Sequence, residues 1–181
     1  MKPELIPTLE NDVLLLRPWT AELAEDYYRI NSNPRITEAG CVKPINSLSD
    51  AKAKIKAFAN SKRMEWSVAV KDEGKTAIVG GIGICEVISI KEYANVKELG
   101  YGLDEKYWGR GIMPIAVRLV EQYCFDILDS EALIIRIVMG NSQSERVAEK
   151  CGYVYHSKKK IGDSYKVNYI KKRDNPAAAA T

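Results

Sequence analysis

Between Leu99 and Met113 the chain reads LGYGLDEKYWGRGIM and then passes into an apolar-periodic segment. Gly109 and Gly111 flank Arg110 where a strand has ended and a helix is about to begin. Such a turn is suited to anions, because its N–H groups and the positive end of the helix point at one spot. Glycine lets the backbone approach a ligand without a Cβ in the way, and Arg110 adds a fixed positive charge. Beyond the turn, Ile112, Ile115, Ala116, Leu119, Val120 and Tyr123 recur at helical spacing and define one buried face. The chain lacks the G-x-x-x-x-G-K-[ST] loop, and Pro114 stands where a G-x-G-x-x-G pattern needs its last glycine. A bare G-x-G before a helix therefore fits a pyrophosphate site or a tight turn without a ligand.

The run YWGRGIM, behind a strand ending E-L-G-Y-G-L, resembles the acyl-CoA-binding motif of the GNAT N-acetyltransferases. It is most similar to the branch containing the ribosomal-protein N-terminal acetyltransferases. The signature [QR]-x-x-G-x-[GA] falls on Trp108, Gly109, Arg110, Gly111, Ile112 and Met113. Trp108 replaces Gln or Arg, Met113 replaces Gly or Ala, and Pro114 stands where Thr is frequent. LLLRPWTAELAEDYYRINSNPRI is similar to the family's first strand and helix. NSQSERVAEKCGY resembles its N-x-x-S-x-x-[VL]-x-x-K-x-G-[FY] segment.

The resemblance implies an acetyl-CoA-dependent N-acetyltransferase in which a primary amine attacks directly within a ternary complex. The amine belongs to a protein N-terminus or a small molecule. Acetyl-CoA is the implied cosubstrate, with no metal. Pantetheine would pair with Tyr101, Gly102 and Leu103, where the strand ends in a bulge and parts from its neighbour. Asn141 would contact the cofactor and Ser144 would lie near the reacting thiol, with Tyr153 as an alternative proton donor to it. The capping alternative stays open, since Asn141, Ser142 and Glu145 are capping residue types and Ser142 with Glu145 spells a capping box. Trp108 is expected to pack beside the loop without touching phosphate, because an indole offers a single donor.

Glu98 lies in the strand just before the glycines, and alternation puts it on the face of Gly100 and Gly102. An attacking ammonium must first lose a proton, so Glu98 is the candidate general base. The alternative is a surface charge paired with Lys97 or Lys106. A second function remains open, a non-catalytic module that binds or senses acyl-CoA. A third, nucleic-acid binding, is weakly favoured by the late lysines Lys158, Lys159, Lys160, Lys166, Lys171 and Lys172. An edge strand guarded by lysines explains those equally.

Positioning these residues requires an ordered set of elements. Strands are predicted over 13–17, 65–70, 77–88, 94–103, 133–139, 153–160 and 165–171, and helices over 21–30, 49–60, 112–127 and 144–150. Asn33-Pro34 should stop the first helix. Gly80, Gly81 and Gly83 mark a bulge or a close approach. The fold class is α/β with a GNAT-like mixed, mostly antiparallel twisted sheet of six to seven strands and helices on both faces. Residues 1–173 read as one acetyltransferase domain, with 174–181 a flexible tail.

Trp19, Tyr27, Tyr28, Trp66 and Tyr165 are candidates for the acceptor pocket or the core. Cys41, Cys85, Cys124 and Cys151 form no C-x-x-C pair and read as buried free thiols. His156, the one histidine, has no motif around it. A net charge of +3 gives no argument for nucleic acid. No apolar run is long enough for a bilayer and no secretory h-region is present, so a cytoplasmic protein is expected. Oligomeric state stays open between monomer and homodimer.

Overall fold

The structure is a computed structural model and describes residues 6–40, 42–87, 90, 92–162 and 164–174. Cys41, Ile88, Asp163 and positions 175–181, on which some expectations fell, lie outside the described residues. The elements run in the order β1 (Leu9–Glu10), β2 (Leu14–Pro18), a 3-10 turn (Ala21–Leu23), α1 (Ala24–Asn31), α2 (Pro34–Gly40), α3 (Leu48–Phe58), β3 (Met64–Asp72), β4 (Lys75–Val87) and β5 (Val96–Leu103). A second 3-10 turn (Glu105–Tyr107), α4 (Ile112–Asp126), β6 (Ala132–Val138), α5 (Ser142–Lys150), β7 (Val154–Ile161) and β8 (Ser164–Lys172) follow.

The strands form an eight-stranded sheet in the order β1-β2-β3-β4-β5-β6-β8-β7, antiparallel except where β5 runs beside β6. Parallel neighbours need a long crossover, and α4 supplies it. The apolar stripe of α4, with Ile112, Met113, Ala116, Val117, Val120 and Cys124 buried, packs on one sheet face with Leu16, Trp66, Ile82, Leu99 and Ile135. The opposite face is covered at one end by α1 and α3, through Leu23, Tyr27, Ile30, Ala51, Ile55 and Phe58. Helices therefore lie on both faces.

Most boundaries fall within a residue or two of expectation, with one addition and two corrections. Asn33-Pro34 stops α1, as expected, and Pro34 also opens α2, a helix absent from the expected elements. A helix tolerates proline at its first position, where no intrahelical N–H bond is lost, and Asn33 Oδ1 accepts from Arg35 N at 3.0 Å to cap it. The sheet has one strand more than the upper expectation, because the two-residue β1 pairs with β2 through Leu9↔Leu16. The bulge implied at the end of β5 is absent, since β4–β5 pairing runs unbroken from Val87↔Val96 to Gly80↔Leu103. The register shift lies instead between β3 and β4, where Val68 faces Gly80 and Ala69 faces Ile78, leaving Val79 as the extra residue.

What parts the sheet is β6. Its pairing with β5 stops at Leu99↔Ile135, while β6 continues with β8 through Val138↔Lys166. From Gly100 to Leu103 the β6-facing side of β5 therefore has no strand partner, and a gap opens toward α4 and α5.

Candidate active site

The gap is a groove of about 430 Å³ whose lining includes Tyr101, Gly102, Leu103, Trp108, Gly109, Gly111, Met113 and Ser144. At its mouth the chain turns on Gly109 (φ 75°) and Gly111 (φ 76°). These left-handed conformations penalise any residue with a Cβ, although a Cβ there would meet nothing within 4 Å. Glycine is required here by the backbone path, not by crowding within the chain. Gly111 is the N-cap of α4 and has no side chain to satisfy the first-turn N–H groups, so these face the groove mouth unpaired by a cap. Arg110 is exposed and stacks its guanidinium over Tyr107 at 5.1 Å.

Trp108 Nε1 donates to the Leu103 carbonyl at 2.8 Å, and Arg35 lies over its ring at 5.4 Å. The indole N–H is thus used inside the protein, as is the Leu103 carbonyl. Tyr101 reaches across the gap and its hydroxyl donates to the Ser144 carbonyl at 3.1 Å. Burial pushes the Tyr101 phenol well above its ordinary range, so it stays a neutral donor.

Asn141 caps α5, its Oδ1 accepting from Ser144 N at 3.1 Å, while its Nδ2 donates to the Ala39 carbonyl at 2.9 Å. The cap is therefore Asn141 and not the Ser142–Glu145 box. These bonds tie α5 to α2. Ile36, Ala39 and Gly40 of α2 line the groove, and Arg35 pairs with Glu105 at 2.9 Å on the opposite bank. Sequence reasoning missed α2 and with it this wall. Arg29 of α1 adds a further tie, bonding Asp104 and, at 2.8 Å, the Ile78 carbonyl.

Tyr153 is not brought to the groove. It is 3% exposed and packs in the core, where its phenol is raised by burial and by Glu121. Just ahead of β7, its ring serves packing in the core and does not line the groove. Trp66 is likewise core, its Nε1 donating to the Pro7 carbonyl. Tyr165 sits on the β7–β8 hairpin under Lys158. Tyr28 borders a wider hollow outside α2, lined entirely by residues between Tyr28 and Asn46.

The sheet face opposite α4 carries a second feature. Gly81 pairs with Gly102 and Gly83 with Gly100, so four adjacent positions on that face are bare. A Cβ at Gly81 would touch the Trp19 ring at 3.3 Å, one at Gly102 would meet Ile36 at 3.7 Å, and one at Gly83 would collide with the Glu65 carboxylate. Above Gly100 a Cβ would meet nothing within 4 Å among the described residues. Trp19, Ile36 and Glu65 thus roof the floor and leave the spot over Gly100 open.

Glu98 stands two residues before Gly100 on the same face, 28% exposed and 3.3 Å from Arg136, not paired with Lys97 or Lys106. Lys97 pairs instead with Glu86. Arg63 donates from Nε to Glu65 Oε1 at 2.6 Å, and its other end is 3.6 Å from Cys85 Sγ. Cys85 is half-buried, whereas Cys124 and Cys151 are buried thiols, as expected, with values pushed up to about 12 and about 11. Neither Arg63 nor Glu65 was singled out from the sequence. The signal available was Gly83, whose missing side chain makes room for the Glu65 carboxylate on the paired strand.

The late lysines divide. Lys158, Lys159 and Lys160 are exposed on the edge strand β7, whereas Lys171 is bound inward to the buried Glu121 at 2.9 Å. Among the described residues no helix is long and apolar enough to cross a membrane, and no His, Cys, Asp and Glu cluster is arranged for a metal ion.

A sheet parted between two parallel strands, with a glycine turn and helix N-terminus at the mouth of the gap, defines an acyltransferase architecture. The model of the acetyltransferase (GNAT) domain matches residues 13–154, and the chain belongs to that family. It is 25% identical over 153 residues to an uncharacterized N-acetyltransferase of Bacillus subtilis, YoaA, covering 82% of this chain and 84% of that one. Among solved structures it is similar to a GNAT-family acetyltransferase from Bacillus anthracis, with a TM-score of 0.79 at 19% identity over 92% and 98% of the two chains. It is also similar to the microcin C7 self immunity acetyltransferase MccE in complex with acetyl-CoA and AMP, with a TM-score of 0.72 at 20% identity over 90% and 94%.

Proposed function

We propose that this protein transfers the acetyl group of acetyl-CoA to a primary amine by direct attack in a ternary complex. The observation that carries this reading is the β6-facing edge of β5 from Gly100 to Leu103, which no strand covers apart from Trp108 on the Leu103 carbonyl, lying beside the Gly109–Gly111 turn. An extended pantetheine arm can add to the open strand edge as a further strand would. The pyrophosphate then meets the N–H groups of Gly111, Ile112 and Met113 at the start of α4, with Arg110 nearby. The donor set fits: uncapped amides and a guanidinium on one side, apolar Ile112, Met113 and Leu103 on the other. Acetyl-CoA supplies the activated acyl group, and the chain supplies position.

The open spot over Gly100 is where an amine can approach the end of the groove. Glu98 lies beside it and takes the proton, directly or through water, before the nitrogen attacks. Holding both reactants in one geometry contributes to the rate independently of any base. Ser144, on the groove wall, is the nearest candidate among the expected residues to return a proton to the thiolate. Tyr101 and Asn141 act as positioning residues, one bridging the gap and the other fixing α5 to α2. Residues 1–173 act as a single unit in this reading, working in the cytoplasm.

The test is calorimetric titration of the whole protein with acetyl-CoA, followed by release of CoA thiol over a panel of amines. Saturable binding with amine-dependent release is the expected result. Binding without turnover on any amine would favour the acyl-CoA-sensing alternative.

A further inference from the structure

Glu65 is a half-buried carboxylate that the proposed reaction does not use. It is 16% exposed at the side chain and sits on the bare glycine floor. Arg63 holds Oε1, and Oε2 lies over Gly83, directly across the paired strands from Gly100. Glu65 and Glu98 therefore flank the same open spot, one across the sheet and one along β5. Glu98 has Arg136 beside it. Glu65 faces Arg63, which lies just ahead of β3, with Lys54 of α3 and Tyr27 of α1 in electrostatic range. Arg63 bonds Oε1, and burial raises the pKa against the pull of both cations, so another positive donor at Oε2 would favour the charged carboxylate. A ligand carboxylate would add to the repulsion between Glu65 and Glu98.

We propose that Glu65 determines acceptor specificity by binding a second protonated nitrogen on the acceptor, making the acceptor a short diamine. The Glu65 carboxylate itself fills the place over Gly83, about 5 Å from Gly100 across the strand pair, so a second nitrogen meets it after a short spacer of propane or butane length. This rests on the acetyltransferase reading above, with the reacting amine beside Glu98. It specifies what that reading leaves open, the chemistry of the acceptor beyond its amine.

The experiment compares propylamine, β-alanine, trimethylenediamine and putrescine as acceptors with acetyl-CoA. The expected kcat/KM for a diamine exceeds that for propylamine by roughly ten- to a hundredfold, the range for a hydrogen bond to a charged group. β-Alanine is expected to be poorest. In Glu65→Gln the diamine-to-monoamine ratio collapses toward one. Gly83→Ala should do the same, because the new Cβ displaces the carboxylate while leaving its charge in the chain. Calorimetry of the CoA-complexed protein with putrescine gives a second readout, saturable in wild type and weakened by the same factor in Glu65→Gln. Equal use of propylamine, a preference that survives in Glu65→Gln, or no binding of putrescine by the wild-type complex each overturns the proposal. Failure to bind acetyl-CoA at all overturns the acetyltransferase reading instead.

Discussion

The Tyr101 hydroxyl donates to the Ser144 carbonyl at 3.1 Å, joining β5 to α5 across the gap that β6 leaves open. This bond spans the groove below its mouth and sets the distance between its walls. Tyr101→Phe keeps the ring and loses the bond. Stability should fall by about 0.5–1.5 kcal/mol in denaturant unfolding, and the KM for acetyl-CoA should rise as the walls loosen. A variant with unchanged stability and KM would leave Tyr101 as a packing residue.

Gly111 sets the direction of α4 at a positive φ of 76°. Gly111→Val puts a β-branched residue into the left-handed region and a side chain where the phosphate would approach. Acetyl-CoA affinity should drop at least tenfold in calorimetry, with a stability loss of roughly 1–2 kcal/mol. Affinity equal to wild type in folded protein would remove the anion-site argument.

Trp108 couples the turn to β5 through the Leu103 carbonyl. Trp108→Phe retains an aromatic surface beneath Arg35 and loses that donor. The expected result is a weaker grip on acetyl-CoA with little change in kcat, since the indole holds the loop and does not touch the reacting atoms. Steady-state kinetics separate the two. A fall in kcat with KM intact would contradict this.

Glu98→Gln keeps size and loses basicity. Turnover should fall by ~10²–10⁴-fold at neutral pH, while acetyl-CoA affinity is retained. The loss should shrink at high pH, where more of the amine is already neutral. Turnover against pH in both proteins measures it. Equal turnover, where chemistry limits the rate, would make Glu98 the ordinary partner of Arg136.

Glu65 also makes a prediction about stability. Its folded pKa is raised above the ordinary 4.5 by burial, against the pull of Arg63 and Lys54. The stability it contributes is therefore fully present below that value and is lost as pH rises through the raised one. Wild type should lose ground to Glu65→Gln as pH is raised from about 4 toward neutrality. Paired unfolding curves across that range show it. A gap between the two proteins that is constant with pH would mean that the carboxylate is fully compensated.

Local signals were enough for much of this molecule. Gly109 and Gly111 announced the turn, because a backbone at positive φ favours glycine. The apolar periodicity of Ile112 to Tyr123 and the continuous apolar run of β6 announced a helix on one face and a strand buried on both. Glu98 was legible as a carboxylate among glycines on one strand.

Other relationships exist only once the sheet is assembled. Asn33-Pro34 ends α1 as the local cue says, but that Pro34 also begins α2 goes with the tie of Ala39 to Asn141, distant in sequence. The gap arises because β6 leaves β5 at Ile135 to follow β8, a choice of partners invisible in either strand alone. Tyr153 has the residue type of a proton donor, but its ring, just ahead of β7, lies in the core. Gly81, Gly83, Gly100 and Gly102 become one bare floor through the register of β4 against β5, and Glu65 comes to lie over it from β3. Sequence alone determined which residues could bind an anion or take a proton. Strand pairing, which joins positions far apart in the chain, decided which of them share a site.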